Sequence, residues 1–115
     1  MYYDLVLHID DNDPKRMNLA LNNYANTAAA LPEEEFKVVL LVNGPAAQLL
    51  KRDQAELAAK AAGFMANGLS IRVCRNALKA FDVKPEELWE GVEIVPAGMV
   101  ELIRLQREGF AYIKP

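Results

Sequence analysis

The sequence predicts a three-layer α/β/α fold built on a mainly parallel, five-stranded, doubly wound sheet. Short apolar segments alternate along the chain with helical segments, which is typical of repeated βαβ units. Right-handed crossovers between parallel strands then place helices on both faces of the sheet. The 115 residues suit one domain, residues 1–115, because no linker, repeat or low-complexity segment interrupts them.

Five short apolar segments are the predicted strands. The segment 36–42 (FKVVLLV) is nearly all apolar, which is typical of a central strand covered on both faces. In the segment 69–74 (LSIRVC), apolar residues alternate with others, which also indicates a strand. The remaining predicted strands lie at residues 3–9, 92–95 and 110–113.

Helical segments fill the intervals between the strands. Asp13 offers an N-cap and Pro14 suits the first helical position, so a helix is predicted over residues 14–30. Asp53 and Glu56 have the spacing of a capping box, which predicts the start of a second long helix. Shorter helical segments are predicted at residues 46–50, 75–81, 85–89 and 99–107.

Further expectations concern the last predicted helix and Trp89. Val100, Ile103 and Leu105 are the predicted apolar face of the last helix, and Met99 is interpreted as a core filler. Trp89 is expected to be a hydrophobic anchor, either in the core or at an interface between copies of the chain.

Composition excludes several classes of partner. The net charge is −3 and the basic residues are scattered, so the chain lacks the concentrated basic stripe of a nucleic-acid-binding protein. No apolar run approaches the roughly 20 residues of a membrane span. The first ten residues carry acids where a secretory signal peptide carries bases, so a cytoplasmic location is expected.

No motif predicts a cofactor or a metal. The chain has neither a GxGxxG nor a GxxxxGK[ST] phosphate loop, and its single cysteine and single histidine have no zinc-ligand spacing. A response-regulator receiver is rejected because the strand after the first helix ends in Asn43 rather than in a phosphoacceptor aspartate. Asp10, Asp11 and Asp13 could hold a divalent cation, but a helix cap and solvated turn residues explain this acidic loop more simply.

The carboxyl ends of the predicted strands are where a ligand site is expected. In open α/β sheets, ligands bind beyond these ends, which share one edge when the strands are parallel. The only cysteine and the only histidine both lie there, and Asn43-Gly44 is interpreted as a turn with positive φ at the glycine. The candidate site residues are His8, Asn43, Gly44, Cys74, Arg75, Asn76, Pro96 and Gly98.

Cys74 has a physical reason to be reactive, because it ends a strand and begins a helix. Unpaired backbone N–H groups at a helix start favour the thiolate over the thiol, and Arg75 would add positive charge. The alternative is an inert core cysteine. His8 has the same ambiguity, since it would be either a proton carrier or a structural histidine bonded to a neighbouring loop.

Four segments together resemble the DsrE/DsrF-like family over essentially the whole chain. They are LHIDD with His8, LLVNGPA with Asn43 and Gly44, GLSIRVCRNAL with Cys74 and Asn76, and VEIVPAGMVELIRLQREGFAYIKP at the end. The resemblance implies a compact α/β/α domain that assembles as a homo- or hetero-oligomer, typically a trimer or hexamer. It also implies sulfur trafficking, in which a cysteine carries sulfane sulfur as a persulfide and passes it to a partner protein.

The resemblance assigns expected roles to the candidate residues. Cys74 matches the cysteine at the end of the third strand in single-domain members, so it is the expected sulfur carrier. His8 would handle the proton, and Asn43 and Asn76 would be polar supports. The expected partners are further copies of the chain and a sulfur donor or acceptor protein, and no cofactor is expected.

Two alternatives remain open at this point. One is a non-catalytic oligomeric module that binds a small ligand or a partner at the same edge. The other is a redox sensor in which Cys74 forms a sulfenic acid or a disulfide between subunits.

Overall fold

Five strands and four α-helices make up the computed structural model, which describes all 115 residues. The strands are β1 (Leu5–Ile9), β2 (Val38–Val42), β3 (Ser70–Cys74), β4 (Glu93–Val95) and β5 (Ala111–Ile113). The helices are α1 (Pro14–Ala30), α2 (Ala55–Ala66), α3 (Arg75–Ala80) and α4 (Gly98–Arg107), and 3₁₀ segments lie at Gly44–Leu50 and Pro85–Glu87. This is the predicted order of elements, with slightly different boundaries.

The strands lie in the order β4-β3-β2-β1-β5, and every neighbouring pair is parallel. The predicted fold class is therefore confirmed. From β1 to β4 each connection steps in the same direction, so right-handed crossovers place α1, α2 and α3 on one face. The last connection steps back past β1 to β5, which places α4 alone on the other face.

Two hydrophobic clusters correspond to the two faces of the sheet. Successive residues of a strand point to opposite faces, and β1 and β2 are buried along their whole length. The larger cluster has 24 buried residues, from the sheet, α1, α2, α3 and the first 3₁₀ segment among others. The smaller cluster has 7 buried residues, which are Val6, Val39, Leu41, Val95, Leu102, Leu105 and Phe110.

The two predicted helix caps have different outcomes. Oδ1 of Asp13 accepts the backbone N–H of Lys15 at 2.9 Å, so the cap of α1 is confirmed. The capping box of Asp53 is not formed, since α2 begins after Gln54 and no side chain caps it. The reason is a turn closed by the N–H of Gln54 on the carbonyl of Lys51, which places Gln54 rather than Asp53 at the helix start.

The buried face of α4 differs from the predicted one. Leu105 is buried as expected, but Leu102 is buried beside it, whereas Val100 and Ile103 are 64% and 52% exposed. Met99, expected in the core, is 60% exposed. The helix carries apolar residues on two sides, so periodicity alone does not decide which side meets the sheet.

Trp89 lies in the core and not on an apolar surface available to another copy. It is 3% exposed, and its Nε1–H donates to the carbonyl oxygen of Lys51 at 2.9 Å. Its backbone N–H also donates to the carbonyl of Leu50 at 2.8 Å. Of the two places expected for this hydrophobic anchor, Trp89 therefore occupies the core, where the indole ties the β3–β4 connection to the end of the first 3₁₀ segment.

Candidate functional site

Three candidate side chains meet on one side of the carboxyl edge. The register between β2 and β3 ends at the pair Val42–Val73, and its continuation by one residue places Asn43 level with Cys74. His8 lies on the neighbouring strand β1, opposite Leu41. Because side chains alternate along a strand, His8, Asn43 and Cys74 all belong to the face that α4 covers.

Gly98, the first residue of α4, lies directly against Cys74 and Asn43. A Cβ atom on Gly98 would lie 3.0 Å from the Cβ of Cys74, 3.3 Å from the Cβ of Asn43 and 3.3 Å from Cδ1 of Leu41. A separation of 3.0 Å is shorter than side-chain packing tolerates. The lack of a side chain at Gly98 therefore lets α4 begin this close to the sheet.

Cys74 consequently lies near two helix starts. It is the N-cap of α3, as predicted, and α4 begins against it at Gly98. The first N–H groups of a helix have no partner within the helix, and that end carries partial positive charge. Neither start is capped by a side chain, so this arrangement can stabilise negative charge on the Cys74 sulfur or on a ligand beside it. The contribution of α4 was missed from the sequence.

A chain of hydrogen bonds runs through His8. Its Nδ1 lies 2.6 Å from the hydroxyl of Tyr112 on β5, and its Nε2 lies 2.8 Å from Oδ1 of Asn43. His8 is 7% exposed, so these two side chains satisfy its ring nitrogens. Cys74 lies two strand spacings across the sheet and two residues further along it from His8, roughly 12 Å between Cα atoms.

Tyr112 is the site residue that the sequence did not reveal. The sequence pattern predicts only that it lies in the last strand, and 104 positions separate it from His8. β5 pairs with β1 in the sheet, with Tyr112 beside Val6, and this pairing has no local sequence signal. The tertiary order of the strands brings the hydroxyl to the imidazole.

Cys74 itself is largely covered. It is a free cysteine with 8% of its surface exposed. Its Cβ lies against Gly98 on the α4 side, but at the end of β3 the residue also joins the larger hydrophobic cluster of the other face. The structure therefore places the thiol at the predicted edge but under cover, with only a small opening to solvent.

The other candidate residues surround this cluster without bonding to it. Gly44 has φ of +57°, which confirms the predicted turn, and it begins the first 3₁₀ segment. Arg75 and Asn76 are exposed on the first turn of α3, and Pro96 is exposed before α4. None of these contributes a side-chain hydrogen bond to His8, Asn43 or Cys74.

The acidic loop after β1 is held by an ion pair. Oδ1 of Asp10 accepts from Nζ of Lys114 at 2.6 Å, and both side chains are partly exposed. The hydrogen bond from Lys114 lowers the pKa of Asp10, against the opposing effect of burial. No group of three or more His, Cys, Asp or Glu side chains is arranged to hold a metal ion.

A separate groove of about 860 Å³ lies on the opposite face of the sheet. It runs between the starts of α1 and α2, where Lys15, Asp53 and Lys60 line it. Nζ of Lys60 is already bonded to Oδ1 of Asn18 and of Asn22, at 2.7 and 2.6 Å. The groove contains none of the site residues named above.

None of the helices combines the length and the apolar character needed to cross a bilayer.

Two solved structures share this fold. The protein of unknown function MTH1491 from Methanobacterium thermoautotrophicum superposes with a TM-score of 0.90 and is 32% identical, with 98% of this chain and 99% of that chain covered. The ychN protein from E. coli superposes with a TM-score of 0.72, with 98% and 99% coverage. At 16% identity, its likeness is one of fold.

The sequence comparisons define the family. A comparison with curated proteins returns no match. The DsrE/DsrF-like family model matches residues 2–115, which is nearly the whole chain, and the resemblance first noted in four sequence segments is thereby confirmed. This chain belongs to the DsrE/DsrF-like family.

Proposed function

We propose that the chain carries sulfane sulfur as a persulfide on Cys74 and passes it to a partner protein. The observation that carries the proposal is the position of Cys74, at the end of β3, against the start of α4 and level with Asn43. The carboxyl edge of a parallel sheet is where α/β proteins bind ligands, and helix starts favour an anionic sulfur. Membership of the DsrE/DsrF-like family supports the same chemistry.

The loading step transfers one sulfur atom and needs no oxidant. The Cys74 thiolate attacks the sulfane sulfur of a donor such as thiosulfate or a polysulfide, and an S–S bond forms on Cys74. The donor's S–S bond breaks, and its electron pair leaves with the remaining fragment, which is sulfite when the donor is thiosulfate. An acceptor thiolate then attacks the outer sulfur, and Cys74 leaves as a thiolate. A reducing, cytoplasmic compartment would keep this lone thiol available between cycles.

The neighbouring residues have separate roles in the proposal. Asn43, level with Cys74, would donate a hydrogen bond to the anionic sulfur. His8 would accept or return the thiol proton through water at Nδ1, the nitrogen beside Tyr112, because its Nε2 faces the amide oxygen of Asn43. Arg75 and Asn76, exposed at the first turn of α3, would contact the donor or the partner protein.

The cover over Cys74 limits which donors reach it. An exposed fraction of 8% suits a small donor such as thiosulfate. Delivery to a partner protein requires the segment around Pro96 and Gly98 to move, because Gly98 lies against Cys74. Gating of this kind by a short loop is common at sites that exclude water.

Mass spectrometry of the intact protein tests the proposal. After incubation with thiosulfate or polysulfide, the wild type should gain ~32 Da, one sulfur atom, and lose it on reduction with dithiothreitol. Cys74→Ser should gain nothing, and because Cys74 is the only cysteine no other thiol complicates the assignment. A wild-type protein that stays unmodified while a small thiol in the same reaction is persulfidated would contradict the proposal.

A second candidate function is a non-catalytic module that binds a small ligand or a partner at this edge. The burial of Cys74 favours it, since the residue is 8% exposed and lies within the larger hydrophobic cluster, as inert core cysteines do. The rate of alkylation by iodoacetamide as a function of pH separates the two. A slow rate that rises only near the ordinary thiol value of about 8.5 favours the binding module. A rate that is already maximal near neutral pH favours the sulfur carrier.

We also propose that the chain assembles with copies of itself, as a trimer or hexamer in keeping with the family resemblance. The surface that we propose for this contact is the outer side of α4 together with the edge strand β5, here called the α4 surface. Because α4 is the only helix on its face of the sheet, a second copy would complete that layer. The exposed apolar residues of the α4 surface are Met99, Val100, Ile103 and Tyr112.

A further inference from the structure

We infer that Tyr112 is a positioning residue that acts through His8 to aim the amide of Asn43 at the Cys74 sulfur. The inference rests on the proposed function, which places an anionic sulfur at Cys74. Its basis is the continuous hydrogen-bond chain in which Oη of Tyr112 lies 2.6 Å from Nδ1 of His8 and Nε2 lies 2.8 Å from Oδ1 of Asn43.

The atoms involved determine the direction of each hydrogen bond. An amide oxygen only accepts, so Nε2 of His8 carries the hydrogen and donates it to Asn43. A neutral imidazole with its hydrogen on Nε2 has a bare Nδ1, which accepts the hydroxyl hydrogen of Tyr112. Without that hydroxyl, the buried Nδ1 loses its partner. The tautomer with hydrogen on Nδ1 then becomes accessible, and its bare Nε2 attracts the –NH₂ group of Asn43 instead of the oxygen.

The orientation of the Asn43 amide connects this chain to Cys74. Because the amide is planar, an oxygen that faces His8 on β1 holds the –NH₂ group away from His8, where it can turn to the strand on the other side of β2. That strand is β3, where Cys74 lies at the same level. The –NH₂ group bonds to no group of the chain, the Cys74 thiol included, so it is free for an anionic sulfur, and Asn43 is half-buried. A preoriented donor of this kind stabilises negative charge without rearrangement.

The exposure of Tyr112 fits a positioning role rather than a packing role. The residue is 40% exposed, whereas His8 is 7% exposed. The two ring centroids lie 5.7 Å apart with the ring planes inclined by 56°. Tyr112 thus reaches into the site mainly with its hydroxyl, while much of its side chain lies outside the core of the protomer.

Nitrogen-15 NMR of the imidazole tests the first link. Since His8 is the only histidine, its two ring nitrogens are identified without other assignments. Wild type should show hydrogen on Nε2 and a bare, hydrogen-bonded Nδ1. Tyr112→Phe should shift the Nδ1 resonance and populate the second tautomer. The matched control Tyr2→Phe, at a residue that is 89% exposed, should leave both nitrogens unchanged.

The rate of Cys74 persulfide formation with thiosulfate tests the second link. Tyr112→Phe and Asn43→Ala should each slow it roughly 5- to 10-fold, the cost of one lost hydrogen bond. The double variant should be no slower than the slower single variant, because both changes interrupt the same chain.

Three results would overturn the inference. They are a wild-type His8 with its hydrogen on Nδ1, a Tyr112→Phe variant with unchanged His8 nitrogens, and effects of Tyr112→Phe and Asn43→Ala that multiply. The first needs no variant, so it applies even where a variant fails to fold. If the wild type forms no persulfide, the proposed function fails by itself. In that case the rate at which iodoacetamide alkylates Cys74 measures the effect of Tyr112→Phe and Asn43→Ala on the thiol. Failure of the proposed function is thereby distinguished from failure of this inference.

Discussion

Gly98, the first residue of α4, packs directly against Cys74 at the end of β3, where a Cβ on Gly98 would lie 3.0 Å from the Cβ of Cys74. This contact ties the start of α4 to the end of β3. It also places the start of α4, whose first N–H groups have no partner within the helix, beside Cys74, which is already the N-cap of α3. The backbone at this point therefore has both a packing role and an electrostatic role.

Gly98→Ala should destabilise the protein by about 1–3 kcal/mol, the usual cost of overpacking. The added methyl group would meet Cβ atoms of Cys74 and Asn43, which cannot rotate away, so α4 must shift. Chemical denaturation measures the change. The matched control is Gly63→Ala in α2, where a Cβ meets nothing within 4 Å. It should be neutral or stabilising by up to ~1 kcal/mol. Equal stability of Gly98→Ala and wild type would contradict the close contact.

Glu101 should make stability depend on pH in the acid range. Its carboxylate bonds to Arg72 at 2.7 Å and to Arg104 at 2.9 Å. Burial alone would raise the pKa of Glu101, but the hydrogen bonds and charges of Arg104 and Arg72 outweigh it and hold the pKa below its ordinary value of 4.5. A carboxylate with a lowered folded-state pKa stabilises the fold above its unfolded pKa, and this contribution is lost as pH falls through the folded pKa.

Glu101→Gln should therefore cost on the order of 1–2 kcal/mol of unfolding free energy at neutral pH. The difference from wild type should shrink as the pH falls below about 4.5. Denaturation curves over a pH series measure it. Glu90→Gln, at an exposed residue, should show almost no difference at any pH. A Glu101→Gln difference that stays constant into acid would rule out this linkage.

Ile103→Glu should dissociate the proposed oligomer, because it places a charge in the middle of the α4 surface. Light scattering should show the wild type as a multiple of the 12.8 kDa protomer and the variant as a monomer. Leu19→Glu is the matched control, since Leu19 is 46% exposed on α1 at the opposite face. A wild type that is already monomeric at micromolar concentration would refute the assembly.

Trp89→Phe should destabilise the fold by about 1–3 kcal/mol, because it removes buried ring area and leaves the carbonyl of Lys51 without its donor. Circular dichroism during chemical denaturation measures this, since the only tryptophan is lost. Phe81→Leu, at an aromatic residue that is 37% exposed, should stay within about 0.5 kcal/mol of wild type. A neutral Trp89→Phe would mean that the indole does not anchor the core.

Local signals were sufficient for the elements and for part of the site. Asp13 and Pro14 predicted the start of α1, and the apolar run that ends before Asn43 predicted β2. Those signals act between residues that are close in the chain, so they can be recognised from the sequence alone. The capping box at Asp53 failed because a turn held by the Lys51 carbonyl, itself tied to the distant Trp89, moved the helix start.

The buried side of α4 could not be read from its pattern. The helix presents two apolar stripes, and the side with Leu102 and Leu105 is buried because Gly98 permits close approach there. The other stripe, with Met99 and Ile103, remains exposed. A periodic pattern gives the faces of a helix but not the neighbour that each face meets.

The sequence by itself determined the order of elements, the parallel α/β class and the edge at which Cys74, His8 and Asn43 lie. These follow from hydrophobic period and turn chemistry, which depend on near neighbours in the chain. Only the tertiary structure decided that Tyr112 bonds to His8, that α4 begins against Cys74 and that the thiol is covered. These contacts join residues from distant strands and helices, and they arise from the pairing order of the sheet and the closeness that Gly98 allows.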